Sequence, residues 1–144
     1  MKFSISGEID GSIPRDKIDE KFLEVLSLVK PKLKSYLETQ NYGEEVELLF
    51  ICPIIMKLSK KMIEQGWHKE RKLFKRKDKS TDFRLMIDYN TFKKANLKER
   101  EKLLIENIIN SVRLLESRTS KNFDGKRLES DILKLFNYKE EDFK

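Results

Sequence analysis

The chain has 144 residues, of which 39% are charged and 38% hydrophobic, and it carries a formal net charge of +6. This length and composition argue against a disordered chain and predict one domain with a single apolar core and a densely charged surface. A single cysteine, Cys52, excludes an internal disulfide and a cysteine-based zinc cage.

The N-terminal segment argues against export. Glu8 and Asp10 fall where a secretory signal peptide needs an apolar region. The longest apolar run, LLFICPIIM, is about nine residues long, which is too short to span a bilayer. We therefore expect a cytoplasmic protein that does not associate with a membrane.

The N-terminal part of the chain predicts a strand followed by a helix. Apolar and polar residues alternate over residues 2–9, with an interruption at Gly7. Pro14 is expected near the first turn of the helix. Pro31, inside the helix, predicts a kink or a break, and Gly43 is expected near the C-cap. The apolar positions at helical spacing are Ile18, Phe22, Val25, Leu26, Val29, Leu33, Tyr36 and Leu37.

A second apolar segment, VELLFICPII, predicts a buried strand over residues 46–55. Within it, Pro53 is expected to place the later part of the strand at an edge or a bulge. The pattern over residues 56–66 is ambiguous and allows a short helix that Gly66 would end.

A hairpin is predicted in the middle of the chain. Residues 82–89 show the clearest alternation of apolar and polar side chains and predict an amphipathic strand. Because DKS, residues 78–80, is typical of a turn, residues 68–77 are expected to form the other arm.

The C-terminal part predicts two helices. Apolar residues recur at helical spacing from Leu97 to Leu115, and Asp124 is a candidate N-cap for a second helix that contains Leu128 and Phe136. The element order β-α-β-(α)-β-β-α-α predicts a single α+β domain over residues 1–144. We expect a mostly antiparallel sheet of about four strands, helices on one of its faces, and a C-terminal helical part at about 97–137.

The segment HKERKLFKRKDK, residues 68–79, carries most of the basic charge. It contains seven Lys/Arg and two acidic residues, whereas residues 1–66 contain ten and eleven. Three interpretations fit: a solvated edge strand, a surface for a protein partner, or a nucleic-acid site in which Phe74 stacks on bases. The candidate partner-binding residues are Glu70, Arg71, Lys72, Phe74, Lys75 and Arg76.

The sequence offers little for catalysis. Glu8 and Asp10 would share a face of a continuous strand, but a solvated strand end is the simpler interpretation. His68, the only histidine, lacks the further Cys or His ligands that zinc requires, and a nucleophilic pair with Cys52 would need a third, orienting group that the sequence does not indicate. No Gly-rich phosphate loop occurs. We therefore expect a protein that is not an enzyme and that has no catalytic residue, cofactor or bound metal.

Four segments together resemble the immunity protein 44 family of bacterial polymorphic toxin systems. They are MKFSISGEID, KERKLFKRKDKSTDFRLMIDY, LLIENIINSVRLL and FDGKRLESDILKLF, and the resemblance runs from residue 2 to about residue 136. It implies a small cytoplasmic bacterial protein that binds a cognate toxin domain and neutralises it by occlusion, with no reaction and no cofactor. The alternative left open by the residues is a small basic nucleic-acid-binding protein that uses the arm at 68–79.

The distribution of charge along the chain allows two positions for the surface that would bind a toxin. Many toxins of this kind are nucleases with basic surroundings at the active site, which a segment with a net charge of +5 would repel. Either the toxin presents acidic groups to residues 68–79, or the contact lies in the nearly neutral N-terminal half.

Overall fold

The structure is a computed structural model that describes residues 1–14, 17–67, 71–75, 78–119 and 122–143, with Phe74 the one described side chain of residues 71–75. The elements in chain order are β1 (Lys2–Ile5), β2 (Glu8–Ile9), α1 (Ile18–Leu37), β3 (Leu48–Met56), α2 (Lys60–Glu64), β4 (Arg71–Lys75), β5 (Ser80–Asp88), α3 (Tyr89–Lys94), α4 (Leu97–Arg118), α5 (Gly125–Leu135) and a 3-10 helix (Glu140–Phe143). The expected α+β composition is therefore confirmed.

The sheet is mostly parallel, and the expectation of a mostly antiparallel sheet was wrong. Its strand order is β1-β3-β5-β4, with β2 continuing beside β3 after β1 ends. Strands β1, β2 and β5 all run parallel to β3, and only β4 is antiparallel to its neighbour β5. The physical reason is the connection between β1 and β3: helix α1 returns the chain to the end of the sheet where it began.

Pro53 does not mark an edge, because β3 is paired on both sides. The carbonyl oxygens of Ile51 and Ile55 accept hydrogen bonds from the backbone of Ser6 and Asp10 at 3.0 and 2.9 Å. Odd-numbered residues of β3 therefore direct their backbone groups toward β1 and β2. Pro53 lies between them, opposite the interruption that separates β1 from β2. Pro53 has no N–H group to donate, and the segment opposite it, between β1 and β2, is not paired with β3.

The helices cover one face of the sheet. Alternate residues of the strands are buried, and helices α1 and α4 contact each other over the same core. The buried strand residues on this side are Phe3, Ile5, Leu49, Ile51, Pro53, Ile55, Phe83, Leu85 and Ile87.

Helix α1 differs from its expected form at its start, because it begins at Ile18 and not near Pro14. Of the two outcomes expected at Pro31, a kink or a break, the break does not occur, and the helix continues to Leu37. The proline removes the backbone donor for the carbonyl of Ser27 but leaves the buried stripe continuous, with Val29 and Leu33 fully buried on either side of it.

Gly43 lies beyond the C-cap of α1, which is Glu38, so its expected capping role was wrong. Its φ is +117°, and a Cβ atom there would lie 1.8 Å from the carbonyl oxygen of Asn122. The glycine is required instead by a close contact between the loop after α1 and the segment that precedes α5.

The remaining helices include one that the sequence did not predict. Helix α3 directly follows β5, and the Asp88 carboxylate caps it by accepting a hydrogen bond from the backbone of Thr91 at 3.0 Å. Helix α2, the long helix α4 and the Asp124 N-cap of α5 agree with the sequence.

Candidate protein-binding surface

The predicted basic arm forms the edge strand β4. The register of the hairpin pairs Arg71 with Leu85, Lys72 with Arg84, and Lys75 with Thr81. The antiparallel pairing of the two arms is therefore confirmed. Of the six candidate binding residues, Glu70 and Arg76 lie outside the described residues, as does His68.

Phe74 is the described side chain of this strand, and it is 47% exposed. It pairs in register with Asp82 of β5, which in turn pairs with Phe50 of β3. Phe50 is 39% exposed. Because residues paired across neighbouring strands have side chains on the same face, the two phenylalanines flank Asp82 in one row on the side away from the helices.

We call this side of the sheet the open face. Its described side chains are at least partly exposed except Ser80 and Asp88, which are buried at the two ends of β5, whereas most of the residues that alternate with them are buried under the helices. The exposed and partly exposed residues of the open face are Lys2, Ser4, Glu8, Leu48, Phe50, Cys52, Ile54, Met56, Phe74, Asp82, Arg84 and Met86. The side chains of β3 on this face are apolar, with Lys2 and Glu8 on one side of them and Asp82 and Arg84 of β5 on the other.

Cys52 lies near the middle of the open face. Partial burial and, next, the nearby Glu8 carboxylate raise the pKa of its thiol, Arg84 opposes them, and the result is a pKa of about 11. A thiol with a raised pKa is a poor nucleophile at neutral pH. Cys52 therefore contributes to this surface by packing and not by reactivity.

The carboxylates considered for catalysis do not form a reaction site. Glu8 lies next to Cys52, and Asp10 accepts a hydrogen bond of 2.7 Å from the hydroxyl of Ser12 in the following turn. Within the described ranges, no three His, Cys, Asp or Glu side chains are grouped so that they could hold a metal ion. The described helices also include none long and apolar enough to cross a membrane.

The sequence analysis predicted that Phe74 of β4 belongs to this surface but did not predict Phe50 of β3. The alternation in the hairpin indicated Phe74, but Phe50 lies in an apolar run where no residue is distinguished from its neighbours. A run of this kind is typical of a central strand in a parallel sheet. That signal could have indicated the sheet type, although the row that joins the two phenylalanines also depends on the register.

An exposed sheet face with two large aromatic side chains is a candidate protein-binding surface. The comparison with protein families assigns the chain: residues 1–138 match the model of the family described as immunity protein 44, and the chain belongs to that family. The resemblance inferred from the four sequence segments is thereby confirmed. No curated protein and no solved structure matched the chain.

Proposed function

We propose that this protein neutralises a cognate bacterial toxin domain in the cytoplasm by binding it and occluding its active site, without catalysis and without a cofactor. The observation that carries the proposal is the family match, which covers 138 of the 144 residues. The exposed aromatic residues on the open face support a binding role, because large exposed aromatic side chains are frequent anchors of protein interfaces.

The β4–β5 hairpin is the first part of this interface that we propose. Its sequence places Arg71, Lys72 and Lys75 in one five-residue strand, and the exposed Phe74 lies between them. Glu70 and Arg76, which flank the strand in sequence, complete the set. Charges at such a site increase the association rate and the specificity more than the affinity itself.

The test uses the cognate toxin domain, in a form inactivated at its catalytic residues for binding and in its active form for toxicity. We expect co-expression of the protein to restore growth and the purified partners to form a complex. The variant K72E/K75E should reduce the association rate constant at least tenfold. The matched control is K60E/K61E, which makes the same change of charge on the exposed helix α2. Growth that is not restored, with no complex formed, would overturn the proposed function.

The alternative function is nucleic-acid binding by the same cations, with Phe74 stacking on bases. Phosphate contacts release counterions, so a site with six to ten of them loses about 10³–10⁵ in affinity between 50 and 200 mM salt. Titration of labelled single- and double-stranded nucleic acid at these two salt concentrations therefore separates the hypotheses. Tight, salt-sensitive binding that K72E/K75E abolishes would favour the alternative, and no binding at low salt would exclude it.

A further inference from the structure

We propose that the toxin docks flat on the open face of the sheet, around Phe50, Phe74 and Arg84, and that its contact surface has an apolar centre with acidic groups opposite β4. This inference rests on the proposed function and adds the surface and the chemistry of the partner. It extends the contact from the edge strand across the sheet as far as β1 and β2.

The first argument is the position of the exposed apolar side chains. Five large hydrophobic residues of the described chain are clearly exposed, and both of the aromatic ones, Phe50 and Phe74, lie on the open face. They stand two strands apart, which is about 10 Å. The other three are Leu23, Leu28 and Ile63, which lie on helices α1 and α2.

The second argument is the composition of the surroundings. The two aromatic side chains continue into partly exposed apolar residues along β3 and β5, namely Leu48, Ile54, Met56 and Met86. The outer surfaces of helices α1 and α4 carry Lys and Glu at most exposed positions instead. A partner that covers the open face therefore removes this apolar area from water, which favours binding.

The third argument is the charge near the phenylalanines. Arg84 is exposed, and none of the ion pairs between described residues involves it. Its register neighbour is Lys72, in a strand with three cations among five residues. An acidic group on the partner would meet this charge, and Arg is among the residues that most often dominate binding energy at interfaces. The acids Glu8 and Asp82 on the same face make a continuous phosphate track unfavourable, which favours a protein partner over a nucleic acid.

Cys52 provides a direct test because it is the single cysteine and lies on the open face. In the variant S27C, a second thiol is placed on the exposed side of α1, where Ser27 lies. Both thiols are labelled with iodoacetamide at pH 9, with and without the inactivated toxin domain, and the labelled peptides are quantified by mass spectrometry. We expect the complex to slow labelling at Cys52 at least tenfold and to leave labelling of the introduced thiol within twofold. Equal labelling of Cys52 in the free and bound protein would overturn the inference.

Substitutions provide the second measurement. We expect F50S/R84E to weaken toxin binding at least 100-fold with an unchanged circular dichroism spectrum, because both side chains are exposed in the free protein. The control L23S/K30E makes similar changes at exposed positions of α1 and should alter binding less than threefold. Equal effects of the two variants would place the toxin elsewhere.

These outcomes separate the inference from the proposed function. A complex that forms while Cys52 stays reactive leaves toxin binding intact and overturns the open face as its site. If no complex forms, both fail. If light scattering shows that the protein alone is a dimer and that F50S makes it a monomer, the open face is an interface between two copies and the inference is overturned.

Discussion

The Tyr42 hydroxyl donates a hydrogen bond of 2.7 Å to Oδ2 of Asp131, joining the loop after α1 to α5 across 89 residues of sequence. The guanidinium of Arg127 lies 4.3 Å from the centre of the Tyr42 ring and contacts the same carboxylate at 3.9 Å. The pKa of Tyr42 is raised far above its ordinary value, mainly by burial and next by the hydrogen bond to Asp131. The loop is therefore held to the C-terminal helix by a neutral phenol.

The variant Y42F should lower the free energy of unfolding by about 1–2 kcal/mol, because the ring remains packed while the partly buried carboxylate loses its donor. Chemical denaturation measures the change. Y36F is the control, since Tyr36 makes no hydrogen bond from its hydroxyl to a described residue. A loss as large in Y36F would show that the effect does not come from the bond to Asp131.

Three of the four glycines outside the helices and strands should respond in a graded way to alanine. G43A combines a positive φ with a backbone atom 1.8 Å from the new Cβ, so we expect a loss of more than about 2 kcal/mol. G66A has a φ of +83° but open space around it, and a loss of about 1 kcal/mol is expected. G11A meets neither obstacle and should stay within about 0.5 kcal/mol. Thermal unfolding ranks the three, and any other order contradicts the explanation.

Asp88 joins the end of β5 to two other segments. Its Oδ2 accepts from the backbone and the hydroxyl of Thr91, and its Oδ1 accepts from the backbone of Leu58 at 3.3 Å. D88A should therefore cost about 2–3 kcal/mol, because it leaves the buried N–H of Leu58 and the partly buried donors of Thr91 without an acceptor. The exposed cap Asp124 is the comparison, and D124A should cost about 1 kcal/mol. Urea unfolding of both variants tests the difference, and equal losses would show that burial of the cap is immaterial.

The reaction of Cys52 with a disulfide reagent should depend on pH in a characteristic way. Its thiol has a pKa of about 11 in place of the ordinary 9.0, mainly because of burial, so at pH 8 its thiolate fraction is about 100-fold smaller than that of an ordinary thiol. Because a thiolate of higher pKa is intrinsically more nucleophilic, we expect it to react roughly tenfold more slowly. The rate should still increase about tenfold per pH unit between pH 8 and 10. The control is the second thiol of S27C, whose rate should level off above pH 9. A plateau for Cys52 near pH 9 would mean that its environment does not disfavour the thiolate.

Sequence periodicity was enough to predict α1, α4, α5 and the hairpin, because each depends on neighbours within a few residues in sequence. The direction of β1 relative to β3 was not predicted correctly, since that pairing joins segments separated by all of α1. The prediction from Pro53 was wrong for the same reason. Its missing N–H donor lies opposite the interruption between β1 and β2, which are distant in sequence, and not at an edge of the sheet.

The proposed binding surface was predicted only in part from the sequence. Local composition indicated the cations of β4 and the aromatic Phe74, and Phe74 is exposed. Phe50 and Arg84 become its neighbours only through the register of β3, β5 and β4. A surface built across three strands has no continuous sequence motif, so sequence patterns alone miss most of it.

The place of β3 between β1 and β5 affects how the protein is made. On the ribosome, β3 gains its second neighbour only when residues 80–88 have emerged, so a shorter nascent chain leaves an apolar strand with an open backbone edge. Long-range pairings of this kind also form more slowly than helices or hairpins. The open face can therefore form only after more than half of the chain has been translated. The time that a cell needs to produce folded protein then depends on translation of the second half of the gene.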